Sequence, residues 1–290
     1  MNGILIVNKP INMTSRDVVN HLNYIFHTKK IGHTGTLDPI ATGVLVIAIG
    51  SYTKLVNKLT SLDKEYIAEI KLGIKTDTGD VTGSVLEEDY NYNITSEDIL
   101  NVFDYFDKEY EQTVPKYSAV KINGKKLYEY ARENEEIELP KRLVHIYSLE
   151  LLEFNSGTIK FKTKVSKGTY IRSLIEDICY RLNVLGTMQS LVRIKQGSFS
   201  LDNAINLDEV TFDTKLLEAS DVLDVKKLLI SKEEKKLVVN GNKINKEVDD
   251  GYYDVYVKEN KLALYEFTNS EGRIIMFYWH DFFIDLIKYF

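Results

Sequence analysis

The side chains best suited to chemistry lie in one stretch, Gly32-His33-Thr34-Gly35-Thr36-Leu37-Asp38-Pro39-Ile40-Ala41-Thr42-Gly43. It holds three glycines, a histidine, several hydroxyls and a single carboxylate, and the apolar run Val44 to Ile49 follows it directly. Glycine lets a backbone turn sharply or approach a ligand closely. Pro39 crowds the residue before it and keeps Asp38 out of the helical region. Asp38 is therefore expected on a stiffened loop, its carboxylate at a set angle, with a buried strand as anchor. An acid held in this way can serve as a nucleophile or base. The same composition also suits a plain glycine-rich connection before a strand.

Other chemistries fit less well. A phosphate-binding loop would end in Gly-Lys-Ser/Thr, which is missing here, and Asp38 would repel phosphate. Asp77-Thr78-Gly79 matches the aspartic-protease signature, but such a site needs two aspartates sharing a proton, and no second copy occurs. The five histidines are scattered, with no metal-ligand spacing.

The elements that must position Asp38 can be read from periodicity. Gly3 to Asn8 reads as a short buried strand, and Thr14 with Asp17 as a capping box before a helix with Val18, Val19, Leu22, Ile25 and Phe26 on its apolar face. From Lys64 to Gly73 the text alternates, with Tyr66, Ala68, Ile70 and Leu72 sharing the apolar parity of a half-buried strand. Tyr66 thus faces inward, which also suits an ordinary core tyrosine. Thr95 and Asp98 cap a helix to Phe106. Asn123-Gly124 marks a turn, after which Lys125 to Arg132 reads as helical. Val144 to Phe154 and Thr158 to Val165 read as paired strands. Ser166 to Arg172 opens a helix whose apolar face is Ile171, Leu174, Ile175, Ile178 and Leu182. Arg172 falls in the first turn and off that face, where a cation opposes the helix dipole. Either it has a partner elsewhere, or Glu176 offsets it as an i,i+4 pair. Cys179 reads as core. Beyond Lys226 short strands are expected at Leu237 to Val239, Tyr252 to Val257, Leu262 to Phe267 and Ile274 to Tyr278.

The 290 residues, 44% hydrophobic and 28% charged, form an ordinary globular balance. No secretory signal or membrane-length apolar run is read, and one cysteine excludes an internal disulfide framework and fits a reducing compartment. A cytoplasmic protein is expected. The region from Glu87 to Asn93 is the one structureless candidate. The net charge of −6 speaks against a nucleic-acid partner until its distribution is considered. Acids crowd positions 87–111, whereas Lys160, Lys162, Lys164, Lys167, Arg172, Arg181, Arg193 and Lys195 meet only Glu176 and Asp177 in their own stretch. That basic stretch suits RNA or a solvated strand face equally.

The Gly32–Gly43 stretch resembles the catalytic motif of the TruB family, the bacterial tRNA pseudouridine-55 synthases. Asn8-Lys9-Pro10-Ile11-Asn12-Met13-Thr14-Ser15 is similar to the family's N-terminal Lys-Pro…Thr-Ser motif, with Asn12 where glycine is usual. Lys64-Glu65-Tyr66 matches its Lys-x-Tyr, Thr76 to Asp80 its Thr-Asp-Thr-x-Asp loop, Tyr117 to Arg132 a further segment, and Lys167 to Arg172 its Lys-Gly-Thr-Tyr-Ile-Arg. Leu191-Val192-Arg193 resembles its Leu-Arg-Arg strand, with Val192 in place of the first arginine. These matches are spread over roughly the first two hundred residues. The resemblance implies an α+β fold with a mixed, largely antiparallel central sheet flanked by helices, as a catalytic domain over 1–225. It also implies a small β-rich, PUA-like RNA-binding domain over 226–290. It implies Asp38 as nucleophile, Tyr66 beside it and Arg172 paired with it. Lys9, His33, Tyr170 and Leu191 then bind substrate, His33 by filling the space of a flipped base and Leu191 as an apolar wall. The implied reaction isomerises uridine 55 in the tRNA T-arm stem-loop, without metal or cofactor, on a monomer with no membrane partner. A non-catalytic RNA-binding protein remains the reading from another class.

Overall fold

The computed structural model describes residues 1–106, 108–133 and 135–278. The alternation in Lys64–Leu72 becomes a central strand, with Lys64, Tyr66, Ala68, Ile70 and Leu72 buried. The strand path of the large sheet runs Ile205–Asn206, Gly3–Lys9, Thr42–Ile49, Gly186–Gln196, Lys64–Leu72, Thr158–Val165, Lys141–Asn155 and Glu109–Thr113. Two of its pairings are parallel, Gly3–Lys9 with Ile205–Asn206 and Gly186–Gln196 with Thr42–Ile49, and the rest are antiparallel. The sheet is thus mixed and largely antiparallel, as expected.

Thr42–Ile49 reads as an unbroken apolar run because both its faces are covered. Val44, Val46 and Ala48 pack with Tyr52, Leu55 and Leu59. Leu45, Ile47 and Ile49 pack with Val18, Val19 and Leu22 of the Ser15–Ile25 helix. That helix begins at the expected Thr14–Asp17 box. The helices Ser96–Phe106 and Ile171–Leu182 cover the other half of the sheet through Ile99, Phe103, Leu174 and Ile178 against Ala68, Ile70 and Phe161.

A second sheet follows, in the order Val225–Leu229, Gly251–Val257, Asn260–Thr268, Glu271–Phe277 and Ile244–Asn245. Val255, Leu262, Tyr265 and Phe267 form its own core. Leu264 and Met276 instead join the cluster of Ile4, Val46 and Tyr52, so the two sheets share apolar contact. The expected domain 226–290 extends past the described residues, which end at 278.

Three local expectations change. Leu237 to Val239 is the end of an α-helix, Lys232–Val239, capped reciprocally by Ser231 and Glu234, rather than a strand. Val85–Glu88 pairs with Ile74–Thr76, so part of the acidic region is a strand. Lys125–Lys126 pairs with Lys121–Ile122 across the Asn123-Gly124 turn, and the helix starts only at Leu127. The basic stretch also differs in space from its appearance in sequence. Lys160 and Lys164 face Glu69 and Glu65 across one strand pair, and Lys162 faces Glu150 across the other. Arg172 and Arg193 are buried.

Candidate active site

The loop that carries Asp38 is fastened from below by polar side chains. Lys9 is fully buried, and its ammonium donates to the carbonyls of Met13 at 2.6 Å, Pro10 at 2.8 Å and Pro39 at 3.4 Å. The Asn12 N–H donates to the same Pro39 carbonyl at 2.8 Å. Ser15 Oγ accepts from the Leu37 N–H at 2.9 Å. Arg193 Nε donates to the Val44 carbonyl at 2.6 Å and Nη2 to that of Gly35 at 3.1 Å. Gln196 Nε2 donates to Thr34 Oγ1 at 2.6 Å and to the Leu59 carbonyl at 2.9 Å. Buried polar groups satisfied in this way fix a unique backbone path. Asn12 sits at φ 65, a left-handed conformation that asparagine accepts more readily than most residues, so it does glycine's work in the Lys-Pro segment. Gly43 lies at φ +99 with the Arg193 carbonyl only 2.3 Å from where a Cβ would stand.

Arg172 reaches this loop from the first turn of the Ile171–Leu182 helix, 134 residues away in sequence. Its Nε stands 2.9 Å from Asp38 Oδ2 and its Nη2 3.2 Å from Asp38 Oδ1, a two-point ion pair. Nη1 donates to the Thr78 carbonyl and Nη2 to the Tyr117 carbonyl, each at 2.9 Å. The guanidinium is thus spent on Asp38 and two backbone oxygens, and the local Glu176 alternative falls away. Those oxygens also answer the unfavourable placement of a cation at a helix start. The Arg172 side chain is 7% exposed and that of Asp38 31%, so the acid is held from one side and open to solvent on the other.

Tyr66, Leu191, Leu37, Ala41 and Ile171 belong to one apolar cluster, with Ile40 packed against it. Tyr66 and Leu191 therefore join the apolar neighbours of Asp38 along the loop. His33 is half-buried at the loop's start, and its Nδ1 accepts a long 3.4 Å contact from the Gly35 N–H. Burial, then the charges of Arg193 and Arg16, hold its pKa below the usual histidine value, which leaves a neutral ring at pH 7. Tyr170 is half-exposed at the helix N-cap, two residues before Arg172. Lys9, expected at the substrate, lies under the loop, and its ammonium is engaged by those three carbonyls. Cys179 is buried, its thiol pushed up to about 12 by burial, which makes it a core residue. Among the described residues no three His, Cys, Asp or Glu side chains gather as metal ligands would. A cavity of about 360 Å³ opens beside Arg172, walled by Thr78, Val114, Tyr117, Ile175 and Val184.

Arg193 and Gln196 are supports whose roles escape the sequence. Arg193 stands in the Leu191-Val192-Arg193 match with no role attached to it, and a lone buried glutamine has no periodic signature.

Two comparisons place this architecture. The chain superposes on the solved "Structure of H/ACA RNP bound to a substrate RNA containing 2'-deoxyuridine", with a TM-score of 0.65 and 22% identity over 94% of this chain and 83% of that one. It superposes equally well on a chain of a Cbf5-Nop10-Gar1 complex, at 0.65 and 23% over 94% and 85%. Both likenesses concern the fold, a mixed, largely antiparallel sheet flanked by helices with a small PUA-like second sheet. The model of the TruB family pseudouridylate synthase N-terminal domain matches residues 23–171. The tRNA pseudouridine synthase B of Francisella philomiragia is 40% identical over 98% of this chain and 97% of its own. That of Clostridium tetani is 47% identical over 72% and 73%. This chain belongs to the TruB family of pseudouridylate synthases.

Proposed function

We propose that the chain isomerises uridine 55 in the T-arm of tRNA to pseudouridine, with Asp38 as the nucleophile. In this reaction the N1–C1′ bond breaks, C5 bonds to C1′, the proton on C5 leaves and N1 gains one, so nothing is consumed. The observation that carries the reading is the two-point Asp38–Arg172 pair with the acid open on one side. Arg172 aims the carboxylate, because a two-point ion pair fixes its orientation as well as its position. A stacked uridine is out of the acid's reach, so the target base is flipped out of the helix. The neutral, flat ring of His33 takes the vacated place, Tyr66 and Tyr170 flank the flipped base, and Leu191 is an apolar wall. Lys9 acts on the loop and not on the RNA. Two relatives named tRNA pseudouridine synthase B support the choice of tRNA. A single cysteine, buried at Cys179, supports a cytoplasmic setting.

The test is to incubate the protein with unmodified tRNA and map pseudouridine by position. Wild type should modify position 55 alone, and Asp38→Asn should fold, bind tRNA and form none. Near-normal turnover by Asp38→Asn removes the mechanism, and a product only at another position removes the assignment. RNA binding without turnover by wild type marks a binding protein instead.

A further inference from the structure

Glu109–Thr113 ends the strand path of the large sheet, and it is bolted to the Ile171–Leu182 helix at several points. Tyr110 Oη donates to Asp177 Oδ2 at 3.1 Å, and Ser173 Oγ donates to the Thr113 carbonyl at 2.8 Å. Between these lies Gln112, which is 1% exposed. Its Oε1 accepts from the Tyr170 N–H at 2.8 Å, while its Nε2 donates to the Tyr170 carbonyl at 3.1 Å and to Tyr110 Oη at 2.8 Å. One side-chain amide thus holds both backbone polar groups of Tyr170, as a neighbouring strand would. Tyr170 is the N-cap of the helix, extended at φ −101 and ψ 117, and its own side chain caps nothing. Pinning both its N–H and its carbonyl fixes the direction of its Cα–Cβ bond and the first turn that follows. Arg172 is in that turn.

We propose that Gln112 is a positioning residue for the isomerisation: it sets the Tyr170 ring and, through the first helical turn, the aim of Arg172 at Asp38. The inference rests on the proposed reading of the site. The hydrogen bonds of Gln112 go to Tyr170 and Tyr110, and those of Arg172 to Asp38, Thr78 and Tyr117, so Gln112 acts through the segment it grips. A group misplaced by about 1 Å can lower a rate by roughly a hundredfold, which sets the scale of the effect.

The experiment measures kcat, KM and thermal midpoint for Gln112→Leu, Gln112→Glu, Tyr170→Ala and the double variant Gln112→Leu/Tyr170→Ala, with Asp38→Asn in parallel. Gln112→Leu should lose roughly 30- to 100-fold in kcat well below its midpoint, with KM within about threefold of wild type. Gln112→Glu keeps an acceptor for the Tyr170 N–H and should regain about tenfold of that loss. In the Tyr170→Ala background the leucine substitution should lower kcat by clearly less, because the two act as a unit. A lowered midpoint with unchanged kcat, or fully additive losses, overturns the proposal. If Gln112→Leu does not fold, Gln112→Glu decides: wild-type kcat for that variant overturns it, and a partial loss at constant KM supports it. Turnover by Asp38→Asn sinks the underlying mechanism, whereas a dead Asp38→Asn beside wild-type Gln112 variants sinks this inference alone.

Discussion

Replacing Arg172 tests the arrangement most directly. Its guanidinium makes four contacts, two to Asp38 at 2.9 and 3.2 Å and one each to the carbonyls of Thr78 and Tyr117 at 2.9 Å. A lysine at this position carries its donors on a single atom and cannot copy the fork. Arg172→Lys should keep one charged contact to Asp38 and lose the other, along with at least one carbonyl. A hydrogen bond to a charged group is worth about 1.5–3 kcal/mol, and each 1.36 kcal/mol is roughly tenfold in rate. The lysine variant should therefore lose about 10- to 100-fold in kcat, and Arg172→Met, which loses both contacts, about 10²- to 10⁴-fold. Removing one partner of a buried pair costs about 3–5 kcal/mol of stability. Because Asp38 is 31% exposed and water can take up its freed oxygens, the low end applies to Arg172→Met. Turnover can be followed by tritium release from tRNA labelled at uridine C5, since that hydrogen leaves when C5 bonds to C1′. Filter binding gives tRNA affinity, which should stay within about threefold, because Arg172 is turned to the protein's own oxygens. A folded Arg172→Met enzyme with wild-type kcat refutes the role of the pair. Affinity that falls as far as kcat shows that Arg172 holds RNA instead.

Gly43→Ala should cost roughly 3 kcal/mol or more in a denaturant melt, since its Cβ meets the Arg193 backbone, whereas Gly157→Ala, with open space around it, should stay within about 0.5 kcal/mol. Equal stability of the two variants contradicts the close approach of loop and strand. Burial lowers the Lys9 pKa from 10.5 to about 8, partly offset by the Asp38 charge. Below about pH 8 the amine is charged in folded and unfolded chains alike, and the burial penalty is fully present. Between about 8 and 10.5 the unfolded chain still holds the proton that the native one has released, so this group's contribution to stability rises with pH. Urea melts at pH 7.5 and 9.5 should show that gain in wild type relative to Lys9→Met, and parallel pH dependence in the two proteins counts against it.

What was legible in the sequence is the part governed by local rules. The apolar parity of Lys64–Leu72, the Thr14–Asp17 and Thr95–Asp98 boxes and the Asn123-Gly124 turn all depend on neighbours within a few residues. The exception is instructive. Leu237-Val238-Val239 reads as a strand by β-branched content, yet the Ser231–Glu234 box upstream had already begun a helix. The site itself was not derivable from pattern. Charge spacing alone offered Glu176 as the partner of Arg172, and only the family resemblance pointed across the chain to Asp38. Burial of a charge was equally hidden. Lys9 and Arg193 look like surface cations, and their contacts are with carbonyls that any residue type supplies.

The fasteners of the Asp38 loop lie at Lys9, Asn12 and Ser15 on one side and at Arg193 and Gln196 on the other. A chain still being synthesised has the first set long before the second. Contacts of such long sequence separation make folding slow, and they are gained late. The acid is thus assembled only when about two-thirds of the polypeptide has come together, so a chain that has not yet reached Gln196 has a tethered but unaimed carboxylate. Activity in this enzyme is in that sense a report on completed folding.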